Sequence, residues 1–170
     1  MTPEQIQLYG DALHQALVDR NPVTPLTDSI ADFSLEDAYR IQVRMVARRL
    51  EQGQIIVGKK IGVTSKAVQQ MLQVFQPDFG QLLSGMVRAE GEPIDTSSLI
   101  APRAEAEVAF LLKEDLTGPG VSAADVLRAT EYVMPCFEIV DSRIRDWNIK
   151  IQDTIADNAS CGVFVLGGSA

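Results

Sequence analysis

The chain has 170 residues and a net charge of −8, with 46% hydrophobic and 22% charged residues. This composition is typical of one soluble globular domain with a substantial core, and it excludes a disordered chain. Lysine and arginine do not cluster among aromatic residues, which argues against nucleic acid as a partner. The acidic balance would repel an anionic substrate unless lysine, arginine or a metal ion supplied a local positive centre.

The sequence carries no signal for a membrane or a secretory route. Its first residues lack a basic segment followed by an apolar one, and its apolar runs are too short to cross a bilayer. Cys136 and Cys161 stand alone, without the Cys/His spacing of a zinc site. We therefore expect a cytoplasmic protein with reduced thiols.

Residues 1–53 are predicted to form an N-terminal helical region. Thr2 and Pro3 are typical of a helix start, and Asn21-Pro22 ends that helix. Ser34 begins a second helix with a capping-box-like pattern, and Gly53 closes it. The expected inward residues recur at helical spacing: Ile6, Tyr9, Leu13, Ala16, Leu17, Ala38, Ile41 and Met45. His14 lies beside this stripe, and we expect it to be an ordinary surface histidine.

Residues 54–170 are dominated by strand signals. The predicted strands are 54–63, 81–87, 103–112, 133–140 and 161–166. A short helix with Val68, Met71 and Leu72 on one face follows the first strand, a turn is expected at 76–80, and a helix from 122 to 132 begins at Ser122. The predicted fold class is α+β, a helical region followed by a strand-rich body.

Two glutamates stand on one face of the predicted strand 103–112. Side chains at i and i+2 of a strand leave the same face, so Glu105 and Glu107 project in parallel, with the alanines and larger apolar residues opposite. Two such carboxylates suit a hard divalent cation, which prefers oxygen ligands. A polar face turned to water is the other interpretation of the same pattern.

Glu138 interrupts an apolar run, 133–140, that is otherwise typical of a buried strand. A buried carboxylate must be neutralised, hydrogen-bonded, paired or bound to metal, because an isolated charge in the interior is costly. Glu138 is therefore either a third metal ligand or the partner of Arg143 or Arg145 in a structural ion pair.

Lys60 and Asp78 are the candidates for proton transfer. Gly58 and Gly62 share the strand face of Lys60, and the absence of their side chains lets another group approach its stem. Lys60 is then either a partly desolvated base, acid or substrate clamp, or an ordinary solvated lysine. Asp78 has an alternative role as a turn aspartate that bonds its own backbone. The pair Asp157-Asn158 is also compatible with a simple turn.

Five segments taken together strongly resemble one family. They are Gly-Lys-Lys-Ile-Gly-Val-Thr-Ser at 58–65, Gln-Pro-Asp-Phe-Gly at 76–80, Pro-Arg-Ala-Glu-Ala-Glu-Val-Ala-Phe at 102–110, Asp-Ser-Arg-Ile-Arg-Asp-Trp at 141–147 and Asp-Thr-Ile-Ala-Asp-Asn-Ala-Ser-Cys-Gly at 153–162. The family is the 2-hydroxypenta-2,4-dienoate (2-oxopent-4-enoate) hydratases of bacterial aromatic meta-cleavage pathways, within the fumarylacetoacetate hydrolase superfamily. The resemblance implies a mixed β-roll behind a helical N-terminal region, a bound Mg²⁺ or Mn²⁺, and a ring-like homo-oligomer.

Carried over by motif, the resemblance implies metal ligation by Glu105, Glu107 and Glu138, and catalytic roles for Lys60 and Asp78. One departure concerns length. The chain ends at Ala170, whereas the family continues with the closing strands of the roll and further pocket residues. We therefore expect residues 54–170 to be the N-terminal portion of the β-roll.

The implied reaction is the metal-dependent hydration of 2-hydroxypenta-2,4-dienoate to 4-hydroxy-2-oxopentanoate. The nearest alternative is 4-oxalocrotonate decarboxylase of the same pathway, in which we expect a non-acidic residue where this chain has Asp78. Hydratases of longer dicarboxylate chains are a further option. From a different class, the chain is a non-catalytic partner of a pathway decarboxylase or aldolase. The presence of both proton-transfer candidates and all three glutamates argues against that scaffold role.

Overall fold

The structure is a computed structural model that describes residues 1–72 and 74–168. The side chains of Val68, Met71 and Leu72 are outside the described set, and so is the prediction that they share one face of a helix.

Two long helices form the N-terminal region, as predicted. Helix α1 spans Pro3–Asp19 and helix α2 spans Leu35–Glu51. The Thr2 hydroxyl accepts from Gln5 N–H and the Ser34 hydroxyl from Asp37 N–H, which satisfies backbone donors that lack a partner inside each helix. The buried faces of both helices share one core with Ile144, Ile155 and Ala156 from the second half of the chain. The helical region and the strand-rich body are therefore packed on a common core.

His14 corrects one prediction, since it is buried with 5% of its surface exposed. The buried face of α1 is wider than the apolar stripe indicates, because Gly10, one turn before His14, packs closely against Arg44 of α2. Burial lowers the pKa of His14, while a hydrogen bond to the Gln52 side chain acts in the opposite direction. The histidine is a neutral core residue beside the carboxyl end of α2.

A two-stranded antiparallel sheet follows the helices. Strand β1 spans Ile56–Gly62, helix α3 spans Lys66–Leu72, and strand β2 spans Asp78–Leu83. The turn expected at 76–80 is thus partly wrong, since its last three residues lie in β2. They adopt the strand conformation because they pair with the end of β1, Gly62 opposite Asp78 and Lys60 opposite Gly80.

A four-stranded sheet completes the fold. In chain order its strands are β3 Val87–Arg88, β4 Arg103–Leu112, β5 Thr130–Val140 and β6 Cys161–Leu166, and in space they lie in the order β3-β6-β5-β4. Strands β3 and β6 are parallel, and the other neighbours are antiparallel. The prediction of an α+β fold class is confirmed at this level.

Two helices accompany the larger sheet. Helix α4, Ala123–Ala129, ends three residues before the predicted position at 132, because Thr130 and Tyr132 pair with β4 instead. Helix α5, Ile151–Ala156, has no counterpart in the prediction. None of the helices in the described part of the chain combines the length and apolar character needed to cross a membrane.

Candidate active site

The facing ends of β1 and β2 bring Lys60 and Asp78 onto one side of the two-stranded sheet. Asp78 lies opposite Gly62, two residues after Lys60, so all three share a face. A Cβ atom on Gly62 would lie 2.2 Å from Asp78 Oδ1, which only glycine avoids. The space left by Gly62 therefore holds the Asp78 carboxylate, which is 3% exposed.

The Lys60 ammonium is fixed by two oxygens from elsewhere in the chain. Lys60 Nζ lies 3.0 Å from Glu138 Oε2 and donates to the Ala159 carbonyl at 3.0 Å. Burial is the largest single influence and lowers the pKa of Lys60, but the charge and hydrogen bond of Glu138, together with the charges of Cys161 and Asp78, outweigh it and the pKa is raised. The ammonium is consequently charged at neutral pH, and the solvated-lysine alternative is wrong.

Glu138 also corrects an expectation. Its ion-pair partner is Lys60, whereas Arg143 pairs with Asp157. Strand β5 ends at Val140 and directs Glu138 to Lys60 of β1, whereas Arg143 lies beyond the end of β5 and is hydrogen-bonded to Asp157. Glu138 is 5% exposed, and its Oε1 atom has no hydrogen-bond partner among the described residues.

The carboxylate of Asp78 is buried, but not all of its hydrogen-bonding capacity is used. Its Oδ1 atom has no hydrogen-bond partner among the described residues. Burial raises the pKa of Asp78, although the charge of Lys60 acts in the opposite direction. A buried carboxyl group with a raised pKa in the field of a charged lysine is suited to accept and return a proton.

The three glutamates occupy neighbouring positions on one sheet face. Glu105 pairs with Glu138 across β4 and β5, and Glu107 follows two residues later opposite Cys136. Glu105 and Glu107 are exposed. Burial raises the pKa of Glu107, and the charges of Glu105 and Glu138 raise it further. Like charges at this spacing repel each other, and a cation among them would relieve that repulsion.

The donor set therefore fits a divalent cation in chemical type and in strand position. Carboxylate oxygens are the ligands that Mg²⁺ and Ca²⁺ prefer, and Glu138 Oε1 is a buried oxygen with no other partner among the described residues. Within residues 1–72 and 74–168, however, no three aspartate, glutamate, histidine or cysteine side chains converge closely enough to hold a metal ion. The three predicted ligands thus occupy neighbouring positions of one sheet face without their side chains converging, and Glu138 is held by Lys60.

The sequence did not predict that the segment containing Asn158 and Ala159 contacts Lys60. The Asn158 side chain accepts from Gln81 N–H at 2.7 Å and donates to the Gln81 carbonyl at 2.9 Å, which joins the segment to β2. Ala159, next in the chain, supplies the carbonyl for Lys60. Asp157, Asn158 and Arg143 all lie in the motifs quoted above. The motifs marked these residues but did not indicate which groups they contact.

Comparison with known proteins decides the family. No protein-family model matches the chain. A 2-hydroxypent-2,4-dienoate hydratase of Pseudomonas putida is 65% identical over 166 residues, which cover 97% of this chain and 75% of that protein. The chain belongs to the 2-hydroxypentadienoate hydratase family. The family predicted from the five motifs is thereby confirmed, and the names of the relatives support hydration as the reaction.

Two further relatives in this hydratase family are more distant. A 2-hydroxyhexa-2,4-dienoate hydratase of Comamonas testosteroni is 56% identical over 95% of this chain and 62% of that protein. A 2-keto-4-pentenoate hydratase of Paraburkholderia xenovorans is 47% identical over 99% of this chain and 63% of that protein. The chain therefore spans between 62% and 75% of the length of these curated relatives.

Solved structures of a sister enzyme share the fold. A 4-oxalocrotonate decarboxylase of Pseudomonas putida, complexed with magnesium and adipate, superposes with a TM-score of 0.94 at 33% identity, over 99% of this chain and 64% of that one. The same enzyme complexed with calcium and acetate gives a TM-score of 0.91. This hydratase-family chain thus has the architecture of the decarboxylase of the same pathway.

Proposed function

We propose that the protein catalyses the metal-dependent hydration of 2-hydroxypenta-2,4-dienoate to 4-hydroxy-2-oxopentanoate in the cytoplasm. The observation that carries the proposal is the buried group formed by Lys60, Asp78 and Glu138 in a chain 65% identical to a named hydratase. The lysine is charged, and Asp78 is buried with one carboxylate oxygen that has no hydrogen-bond partner among the described residues. Together they offer a proton donor and a proton acceptor at one place.

The proposal extends to the architecture. We infer a helical region at 1–53 and, at 54–170, the N-terminal portion of a fumarylacetoacetate-hydrolase-type β-roll. The far face of β4 and β5 supports this inference, because Val108, Phe110 and Phe137 are 60%, 51% and 57% exposed there. An apolar sheet face of this kind is suited to packing against further β-structure. Assembly as a homo-oligomer, and association with a pathway decarboxylase or aldolase, belong to the same proposal.

Glu105, Glu107 and Glu138 would hold Mg²⁺ or Mn²⁺. The decarboxylases of similar structure are complexed with magnesium or calcium, which supports a divalent ion here. When bound, the ion supplies the positive charge that attracts the substrate carboxylate and C2 oxygen and stabilises negative charge on that oxygen. Because Glu138 Oε2 contacts Lys60 while Oε1 has no partner among the described residues, one carboxylate is able to serve both cations.

Asp78 would move protons, and Lys60 would stabilise the negative charge that develops on the substrate. The dienol first transfers its hydroxyl proton to C5, which gives a 3-en-2-one with an electrophilic C4. Asp78 then accepts a proton from the water that adds at C4, and the enolate that results takes up a proton at C3. Lys60 Nζ holds the C2 oxygen and stabilises its negative charge during both steps. The acidic chain therefore places a fixed positive charge where the anionic substrate needs one.

A direct assay tests the proposal. Enzymatically generated dienol is added to the protein with Mg²⁺, and the loss of its ultraviolet absorbance is followed. We expect turnover with one water added per substrate and no release of CO₂. The absence of turnover with Mg²⁺ or Mn²⁺ would contradict the proposed activity.

A decarboxylase is the second candidate, favoured by the TM-score of 0.94 to 4-oxalocrotonate decarboxylase. That reaction needs a site that stabilises negative charge but no activated water, so it gives Asp78 no role as a base. The same assay with 4-oxalocrotonate as substrate separates the two, because CO₂ release at a higher kcat/KM than dienol hydration would favour the decarboxylase.

A further inference from the structure

Three consecutive residues before β6 have left-handed backbone conformations. The φ angles of Asn158, Ala159 and Ser160 are 55°, 51° and 52°. None of the three is glycine, and this region is sterically unfavourable for residues with a Cβ atom. Of these three, alanine is the one whose side chain has no hydrogen bond to offset the cost. Such a run persists only where the surrounding structure imposes it, and strained segments of this kind occur mostly at functional sites.

The buried Arg143 side chain imposes this conformation from one side. Arg143 is 1% exposed, and its Nε donates to Asp157 Oδ1 at 2.5 Å while Nη2 donates to the Asp157 carbonyl at 2.5 Å. Its Nη1 donates to the carbonyl of Cys161 at 2.9 Å and to that of Asp141. Arg143 therefore binds the residues on both sides of the left-handed run, Asp157 before it and Cys161 after it.

Strand β2 holds the same segment from the other side. The Asn158 side chain makes two hydrogen bonds to the Gln81 backbone, and Gly80 lets the segment approach closely. A Cβ atom on Gly80 would lie 2.7 Å from the Asn158 carbonyl oxygen and 3.2 Å from Ala159 Cβ. Because Gly80 is the register partner of Lys60, the left-handed run lies directly over the Lys60 stem.

The run presents one group to the site, the Ala159 carbonyl that accepts from Lys60 Nζ at 3.0 Å. An ammonium group has three N–H donors in a tetrahedral arrangement. One is directed to the Ala159 carbonyl and another to Glu138 Oε2. When two of the three donors are fixed, the direction of the third is fixed as well.

We propose that Arg143 and the left-handed segment 158–160 are a positioning device for Lys60. Arg143 acts through Asp157 and Cys161 to hold the Ala159 carbonyl in place, and this carbonyl aims the remaining N–H of Lys60 at the substrate. The inference rests on the proposed role of Lys60 in hydration. It adds Arg143 and Ala159, neither of which contacts the reacting atoms, as residues on which the rate depends.

Ala159→Gly is the sharpest test, because positioning and stability respond in opposite ways. Glycine adopts this φ without steric cost, so the melting temperature should stay at or above that of the wild type. The segment then has more accessible conformations, and the Ala159 carbonyl holds Lys60 less firmly. We expect kcat to fall about tenfold to a hundredfold with little change in KM, the effect of a misplaced catalytic group. A melting temperature at or above wild type with wild-type kcat would overturn the proposal.

A second readout does not depend on turnover. Reductive methylation of the intact protein, followed by mass spectrometry, gives the labelling rate of Lys60 relative to Lys59, which is exposed on the opposite face of the same strand. The wild type should protect Lys60. Ala159→Gly and Arg143→Lys should raise the ratio severalfold, because lysine cannot reproduce the forked contacts of the guanidinium. Unchanged ratios in both variants would refute positioning.

Asp153→Asn is the matched control for lost stability. Asp153 is as completely buried as Asp157, but its carboxylate binds Thr27 and the Lys150 backbone rather than the left-handed segment. The melting temperature of Asp153→Asn should fall, while the Lys60/Lys59 labelling ratio stays at the wild-type value. A ratio raised as much in Asp153→Asn as in Arg143→Lys would show a general loosening and overturn the proposal. Since labelling needs no substrate, failure of the hydratase assay and failure of positioning are distinguishable.

Discussion

Two buried ion pairs lie close together in this protein and differ in how completely they are satisfied. In the Arg143–Asp157 pair, every buried side-chain nitrogen and oxygen has a hydrogen-bond partner. In the group around Lys60 and Glu138, the Oδ1 atom of Asp78 and the Oε1 atom of Glu138 have none among the described residues. The first pair is complete within the chain, whereas the second leaves two buried acceptors open.

This difference in hydrogen bonding distinguishes a buried ion pair that stabilises the fold from one that is suited to binding a ligand. A buried ion pair is tolerated when its remaining donors and acceptors are bonded, and an open buried acceptor costs about 1–3 kcal/mol. Open acceptors on both Asp78 and Glu138 are expected where a ligand completes the network. The Arg143 pair supports the backbone, whereas the Lys60 group retains two buried acceptors without partners among the described residues, as the proposed function requires.

The largest expected effect is on kcat, from a substitution of Asp78 in the group around Lys60 and Glu138. Asp78→Asn removes the proton acceptor but keeps its shape, so kcat should fall by about 10²–10⁴-fold, the usual range for losing a general base. Metal binding and the melting temperature should stay close to wild type, since Oδ1 makes no hydrogen bond within the described residues. Steady-state kinetics and thermal melts check this, with the exposed Asp95→Asn as the control. A rate near wild type would remove Asp78 from the mechanism.

A substitution in the Arg143–Asp157 pair is expected to lower the free energy of unfolding. Arg143→Met leaves the buried Asp157 carboxylate without its partner, and breaking a buried pair in this way costs about 3–5 kcal/mol of unfolding free energy. Burial already raises the pKa of Asp157 to about 6 against the opposing charge of Arg143. Urea unfolding of the variant and the wild type measures the cost. A loss similar to that of Asp78→Asn would erase the distinction between the two pairs.

A smaller effect is expected from filling the space beside Asp78. Gly62→Ala would place Cβ 2.2 Å from Asp78 Oδ1 and force the carboxylate to move, so we expect kcat to fall about tenfold to a hundredfold. Gly58→Ala on the same face of β1 is the matched control, because its Cβ would lie at an ordinary 3.4 Å from Leu82. Equal kinetics for the two variants would show that the position of Asp78 is unimportant.

The smallest expected effect concerns His14, the single histidine of the chain. Burial lowers its pKa in the folded state below the usual 6.5, so the unfolded chain takes up a proton first as the pH falls. The unfolding free energy should therefore decrease as the pH drops from about 7.5 to 5.5. In His14→Gln this part of the decrease should disappear. Urea unfolding at several pH values measures both slopes, and identical slopes would contradict a buried neutral His14.

Capping residues and strand alternation in the sequence correctly predicted the helix starts and the glutamate face of β4. The capping residues Thr2 and Ser34 gave the starts of α1 and α2, and alternation along 103–112 placed Glu105 and Glu107 on one face of β4. The resemblance then grouped Lys60 and Asp78 with the glutamates, and the structure pairs Lys60 with Glu138 and places Asp78 where the charges of Lys60 and Glu105 act on it. Their assignment as catalytic residues and ligands remains a prediction.

Long-range partners explain what the sequence did not reveal. Asp78 was expected in a turn because Pro77 and Gly80 punctuate that segment, but pairing with β1 extends the strand. One of the two alternatives for Glu138 was an ion pair with nearby Arg143 or Arg145, but Arg143 pairs with Asp157, which follows α5. The left-handed run at 158–160 contains no glycine, and only Asn158 has a local preference for this region, so the sequence does not predict a run of three such residues.

The central claim is that Glu105, Glu107 and Glu138 hold one divalent ion beside Lys60. Calorimetric titration of Mn²⁺ into the wild-type protein and into Glu107→Gln tests it most directly, with circular dichroism to confirm that the variant is folded. We predict a single site in the wild type and its loss in the folded variant, together with the loss of turnover. Equal Mn²⁺ binding by both proteins, or undiminished turnover in the presence of a chelator, would contradict the account.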